Sequence, residues 1–201
     1  MKETSLLMPH DFVVTVVSGL PRSGTSMMMR MLDAGGMETL TDGIRGPDVD
    51  NPRGYYELER VKRLKEDSSW LKEARGKAVK VISRLLYDLP PTENYKIIFM
   101  RRPMEEILAS QRRMLERLGK ATDAALDEQA ARAFEKHIAH VERWLEEQGH
   151  MEVLHVSYNG VIARPLECSK LVNAFLGGVL QVEKMAAAVE ASLYRQRRPG
   201  P

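Results

Sequence analysis

Short β-branched runs alternate with longer amphipathic stretches along the chain. Apolar residues at helical spacing follow most of the runs, so the pattern predicts an α/β sandwich with a central parallel sheet. The predicted strands are FVVTVVS (12–18), KAVKVIS (77–83), YKIIFMR (95–101) and MEVLHVS (151–157). The predicted helices cover 24–32, 56–74, 103–119, 123–147 and 165–178.

One irregular stretch stands out, AGGMETLTDGIRGPDVDNPRGYYE, at 34–57. It is rich in glycine, proline, aspartate and asparagine, and a loop of that length inside a compact domain is usually a lid or a binding loop. The length of 201 residues suits one domain. We therefore expect a single domain over 1–201, with a substrate or lid loop at 34–57.

Composition describes an ordinary globular chain with a mild positive charge. Hydrophobic residues make up 43% and charged residues 29%, the formal net charge is +2 and the pI is near 8.6. Such a charge does not favour nucleic acid or a membrane surface as a partner. Arginines do cluster, at 101–102, 112–113 and 195–198, and this favours a compact anionic ligand.

The cysteine content and the first residues of the chain bear on the cellular compartment. Cys168 is the single cysteine, so an intramolecular disulfide is impossible and a reducing compartment fits. The first residues, MKETSLLMPHDF, lack the apolar core of a secretory signal, and no stretch reaches the ~20 apolar residues of a membrane span. We expect a cytoplasmic protein, and the sequence leaves its oligomeric state open.

The segment VVSGLPRSGTSMMMRML (16–32) contains the skeleton of a phosphate-binding loop without its lysine. Gly19 and Gly24 have the spacing of G-x-x-x-x-G-K-[ST], and Ser26 fills the final hydroxyl position. Thr25 stands where the lysine is expected, and the nearest cation is Arg22. Between a strand and a helix, such a loop surrounds an anion with backbone N–H groups at the helix amino terminus. These features predict an anion site in a P-loop NTPase-like fold.

GLPRSGTS closely resembles the loop P-[KR]-[SA]-G-[ST]-[ST] of sulfotransferases that use 3′-phosphoadenosine-5′-phosphosulfate (PAPS). YNGVIARPLECSKLVNAFLGG, NPRGYYE and SLYRQRR are also similar to stretches of that family. The resemblance implies transfer of a sulfuryl group, without metal, to a hydroxyl or amine of a small-molecule or glycan acceptor. It also implies which residues hold the 5′-phosphosulfate: Arg22, Ser23, Gly24, Thr25 and Ser26.

FMRRPMEEILASQ (99–111) resembles the segment that binds the 3′-phosphate of the donor in this family, by an arginine and a serine. Arg102 lies eight residues before Ser110, the usual spacing, whereas Arg101 has the usual R-x-P context. Either arginine fits, together with Ser110. Solvated charges at the end of a strand are the alternative.

The general base departs from the pattern of the cytosolic members, which carry a histidine in K-T-H. Here Lys80 is present, but Ile82 stands in place of the histidine. Members that modify glycans use a glutamate, and Glu57 is the best candidate, with a helix-stabilising first-turn charge as the alternative. Asp42, Asp48 and Asp50 are reserves.

The carboxyl-terminal segment YRQRRPG supplies Arg195, Arg197 and Arg198 but not the R-K-G motif with which the family covers the nucleotide. We predict contacts of Arg195 and Arg197 with the donor, and a solvated tail is the alternative. Two other functions stay open: an ATP- and Mg²⁺-dependent phosphotransferase, and a non-catalytic nucleotide-binding module.

Overall fold

The computed structural model describes residues 12–44, 46, 48, 51, 54–120 and 124–190. Within these residues, five parallel strands form one sheet in the order β2-β3-β1-β4-β5. The strands are β1 (Val13–Gly19), β2 (Thr39–Leu40), β3 (Ala78–Lys80), β4 (Asn94–Arg101) and β5 (Met151–Ser157).

Helices connect the strands. The α-helices of the described part are α1 (Thr25–Ala34), α2 (Met104–Arg117), α3 (Ala124–Glu146), α4 (Tyr158–Ala163), α5 (Pro165–Phe175) and α6 (Val182–Ala187). Three 3-10 helices, Glu59–Arg63, Ser69–Ala74 and Ser83–Asp88, flank β3.

Each face of the sheet carries its own apolar core. Alternate residues of a strand point to opposite faces, so Val16 and Phe99 join one cluster while Val17 and Met100 join the other. The first cluster includes residues of α3 and of the 3-10 helices, and the second includes residues of α1, α5 and α6. The architecture is thus the predicted three-layer, P-loop NTPase-like sandwich.

The stretch 56–74 differs from the single helix that its spacing predicts. It contains two 3-10 helices, and Asp67 lies between them. The Asp67 carboxylate accepts hydrogen bonds from the backbone N–H of Ser69, at 3.0 Å, and from its hydroxyl, at 2.7 Å. Such local bonds compete with helix propagation. Strand β2 and helices α4 and α6 were likewise not predicted.

The candidate residues converge because of the strand register. Gly19 at the end of β1 pairs with Met100 of β4, and Lys80 at the end of β3 pairs with Val17 of β1. The carboxyl ends of three neighbouring strands therefore meet at one edge. In open α/β sheets, ligands usually bind at the carboxyl ends of the strands, at the point where the strand order reverses.

Candidate active site

The turn between β1 and α1 has a backbone conformation that requires its glycines. Gly19 and Gly24 have φ of 142° and 102°, where a side chain is strained. A Cβ on Gly19 would lie 2.6 Å from the carbonyl oxygen of Met100, and one on Gly24 would lie 2.4 Å from the Tyr158 ring. Arg22 also has a positive φ, 72°, an unusual value for a residue with a side chain.

Polar groups of this loop surround the start of α1. The helix has no acidic residue in its first turn and no side-chain cap, so its positive end is available to an anion. The Ser23 hydroxyl is buried and has no hydrogen-bond partner among the described residues. Thr25 is buried, and the Ser26 hydroxyl donates to the carbonyl of Tyr55 at 3.2 Å. An orphaned hydroxyl beside a helix amino terminus fits an oxyanion ligand.

Arg22 connects this loop to the second candidate segment. Its Nε donates to Oγ of Ser110 at 2.9 Å, although the two residues lie 88 positions apart. Burial lowers the pKa of Arg22, a hydrogen bond and charge interaction with Tyr55 oppose that shift, and the positive charges of Arg102 and Arg117 lower the pKa further. The guanidinium lies in a cationic, partly desolvated place where an anion is stabilising.

Arg102 is held against the loop by a buried network. Its Nη1 donates to the carbonyl of Arg22 at 3.1 Å, and its Nε donates to the Glu106 carboxylate at 2.9 Å. Its guanidinium lies 4.3 Å from the centre of the Tyr158 ring. Asn159 Nδ2 donates to the other Glu106 oxygen at 2.9 Å. The side chains of Arg102 and Glu106 are only 7% and 3% exposed, so this pair belongs to the floor of the site.

Arg101 lies differently from its neighbour. Its side chain is 51% exposed and pairs with the Glu142 carboxylate on α3. Arg101 does not line the cavity at the sheet edge, whereas Arg102 and Ser110 do. The structure thus brings one of the two predicted arginines to the loop and leaves the other at the surface.

Glu57 faces a buried lysine rather than capping a helix. Its Oε1 lies 3.6 Å from Nζ of Lys80, and the Lys80 side chain is 7% exposed. Lys80 also donates to the carbonyl of Tyr55. The sequence had given Lys80 no role, because its approach to Glu57 depends on the sheet order. Its match to the lysine of the K-T-H pattern was the available signal.

The loop after β1, the end of β3 and the segment after β4 all contribute side chains to one cavity of about 1180 Å³. The volume exceeds the 300–1,000 Å³ typical of a single small ligand, so two ligands can lie side by side. Besides Lys80, the predicted site residues that line the cavity are Arg22, Gly24, Thr25, Ser26, Glu57, Arg102 and Ser110.

The profile of the sulfotransferase domain matches residues 14–199, nearly the whole chain. The chain belongs to the sulfotransferase family. This membership makes it a transferase, and it supports sulfuryl transfer to a small-molecule acceptor as the activity. Among curated protein sequences, none matches this chain.

Two solved structures show the same fold as this sulfotransferase. One is the sulfotransferase domain from the olefin synthase of Synechococcus PCC 7002, with 16% identity and a TM-score of 0.54; the match covers 91% of this chain and 79% of that one. The other is a sulfotransferase from Alicyclobacillus acidocaldarius, with 17% identity and a TM-score of 0.50, covering 84% and 83%. At such identities the likeness concerns the fold alone.

Several other residues predicted for the active site of this sulfotransferase lie away from the cavity or outside the described residues. Asp42 accepts hydrogen bonds from the backbone of Glu59, at 2.6 Å, and Ile44, at 3.0 Å, and these bonds lower the pKa of its carboxyl. Asp48 accepts from the Tyr55 hydroxyl at 2.8 Å. Neither aspartate lines the cavity. The following predicted residues lie outside the described part: Asp50, Arg195, Arg197 and Arg198.

The described residues contain neither a cluster of metal-ligating side chains nor a membrane-spanning helix. No group of three or more histidine, cysteine, aspartate or glutamate side chains there could hold a metal ion. No helix of the described part is long and apolar enough to cross a membrane. His137 contacts the buried Ser83 hydroxyl through Nε2 at 2.9 Å.

Proposed function

We propose that this sulfotransferase moves the sulfuryl group of PAPS to a hydroxyl or amine of a small acceptor, in line and without a metal ion. The observation that carries the proposal is the 2.9 Å contact between Arg22 and Ser110. It joins the phosphate-binding loop to the second basic segment, so one nucleotide with phosphates at both its 5′ and 3′ positions fits across them. ATP has no 3′-phosphate to use the second segment.

The loop binds the 5′-phosphosulfate in this proposal. Backbone N–H groups at Gly24, Thr25 and Ser26 and the hydroxyl of Ser23 donate to its oxygens, and Arg22 compensates the charge that develops on the bridging oxygen. A sulfuryl group carries less negative charge than a phosphoryl group. One guanidinium and a helix amino terminus can therefore replace the usual lysine and metal.

Ser110 and Arg102 bind the 3′-phosphate. Between the two arginines we choose Arg102, because it lines the cavity and contacts the loop backbone, whereas Arg101 pairs with Glu142 at the surface. A guanidinium presents its N–H groups in a planar fork that matches the geometry of a phosphate.

Glu57 accepts the proton of the acceptor. As the acceptor oxygen or nitrogen bonds to sulfur, the bond from sulfur to the nucleotide oxygen breaks, and its electron pair leaves with 3′-phosphoadenosine-5′-phosphate (PAP). The acceptor proton passes to the Glu57 carboxylate. Lys80, 3.6 Å from that carboxylate, holds it in the cavity and adds positive charge near the transferring group. The stretch 34–57 acts as a lid loop on a single domain.

Calorimetric titration with PAP, ADP and ATP, each in Mg²⁺ and in EDTA, tests the donor. We expect PAP to bind equally in both buffers and more tightly than ADP by tenfold or more. Preference for ATP with Mg²⁺ would instead indicate a phosphotransferase. PAP binding without product from any acceptor would indicate a non-catalytic module.

A further inference from the structure

The cavity continues beyond the reacting groups into a space lined by apolar side chains. Each of three segments that supplies a polar group to the site next supplies apolar ones. Leu58 and Val61 follow Glu57, Ile82 and Leu85 follow Lys80, and Met114 follows Ser110 along the chain. Phe134 of α3 lines the same space. We call these six residues the apolar compartment.

Residues that pack on the core line the sides of the compartment. Val61 is buried, and Leu58 and Leu85 pack on the core cluster beneath the sheet edge. Met114 lies one helical turn beyond Ser110, on the face of α2 that lines the cavity. Phe134 lies one turn before His137, whose contact with Ser83 ties α3 to the 3-10 helix Ser83–Asp88. The six residues thus come from four separate elements that line one apolar space.

Charged side chains lie at the mouth of the cavity rather than in the compartment. Lys62, Arg113, Glu116 and Arg117 line the cavity, and all four are exposed. Three of them are cations and Glu116 is an anion, and water and salt screen all four charges because they are exposed. A sugar placed in the compartment would lose water from its hydroxyls without gaining partners, which is unfavourable. An apolar body would gain by leaving water.

We propose that the acceptor is an uncharged alcohol or phenol with an apolar body, seated in the apolar compartment with its hydroxyl toward Glu57. This proposal rests on the sulfuryl transfer proposed above and narrows its acceptor. It places the apolar side chains as determinants of acceptor specificity, and it excludes glycans from the acceptors that the sequence left open.

Two binding measurements separate the acceptor from the donor. The first follows 1-naphthol fluorescence without nucleotide, in the unmodified protein and in the Met114→Gln and Phe134→Ser variants. Met114→Gln keeps side-chain length and helix propensity, so it still tests the compartment if Phe134→Ser does not fold. Leu171→Gln is the matched control, because Leu171 is 52% exposed on α5 and outside the cavity lining. The second measurement is PAP calorimetry on the same proteins.

We expect saturable 1-naphthol binding that each compartment variant weakens about tenfold or more, with unchanged PAP binding and an unchanged Leu171→Gln control. With PAPS present, 1-naphthol and 1-octanol should be sulfated and N-acetylglucosamine should not. If 1-naphthol does not bind, or binds all variants equally, the compartment is not the acceptor site. If PAP binds but only the sugar is sulfated, the acceptor class is wrong and the donor assignment stands. Binding of 1-naphthol without PAP binding would refute the sulfuryl donor, and with it the acceptor role.

Discussion

The buried pair of Arg102 and Glu106 should make Glu106→Gln far more destabilising than an ordinary surface change. The two side chains are 7% and 3% exposed and 2.9 Å apart, and the second carboxylate oxygen accepts from Asn159. Glutamine preserves the volume but offers only one oxygen to two donors. The substitution therefore removes a charge-assisted hydrogen bond and leaves the guanidinium with less compensation.

The expected cost follows from these contacts. Hydrogen bonds to charged groups contribute about 1.5–3 kcal/mol, and breaking a buried ion pair costs about 3–5 kcal/mol when one partner is removed. Since the glutamine oxygen still accepts one bond, we expect a loss of about 3 kcal/mol of unfolding free energy. For a chain of this size, each kcal/mol lowers Tm by about 2–4 °C, so the Tm of Glu106→Gln should fall by about 6–12 °C.

Glu105→Gln is the matched control for this measurement. Glu105 lies in the same first turn of α2 but is exposed, so both changes remove one carboxylate from the positive end of one helix. That contribution is about 0.3–1 kcal/mol. Thermal unfolding followed by circular dichroism compares the two variants. Equal Tm values would show that the Arg102–Glu106 pair adds nothing beyond the helix dipole, and the reasoning would fail.

Three further predictions concern the reaction and the pH range. Arg22→Ala should reduce sulfuryl transfer by about 10²–10³-fold with little change in Tm; near-normal turnover would show that another group compensates the leaving charge. Glu57→Gln should abolish most transfer while PAP still binds by calorimetry, and retained turnover would assign the base elsewhere. Burial lowers the pKa of His137, so the native state favours its neutral ring. Stability should fall as pH drops through about 6.5, the pKa of an unfolded histidine, and urea titrations of His137→Gln should show a smaller fall; identical pH profiles would contradict this.

Local sequence pattern predicted the parts of the fold that local forces determine. The strands and long helices have clear periodicity. Gly19 and Gly24 were predicted from their spacing after a buried strand, and the structure shows why no side chain fits there. The single helix predicted for 56–74 was wrong because the side chain of Asp67 bonds to Ser69 and interrupts the helix. The spacing of apolar residues carries no signal of such a polar contact. Strand β2, with two residues, is too short to show any alternation.

The convergence of the site could be predicted only in part. The spacing between Arg102 and Ser110 indicated Arg102, whereas the R-x-P context indicated Arg101, so the sequence left both arginines open. Only Arg102 lines the cavity, because Arg101 points to Glu142 on α3. The approach of Lys80 to Glu57 is not local, since it requires β3 to lie beside β1 and the chain at Tyr55 to return over that edge. The apolar compartment likewise depends on how α3 packs, which no spacing within one segment encodes.

The geometry of the site gives a physical reason for the cation of this loop to lie at position 22 rather than at position 25. A lysine at position 25 would begin α1, but Thr25 is buried there and packs into the structure. Arg22 instead lies within the loop, and its side chain reaches Ser110 on α2. One guanidinium with several fixed donors can contact two anionic groups at once, which a lysine ammonium does with less geometric control. Moving the cation into the loop thus places a single charge between the two phosphate positions proposed for the donor.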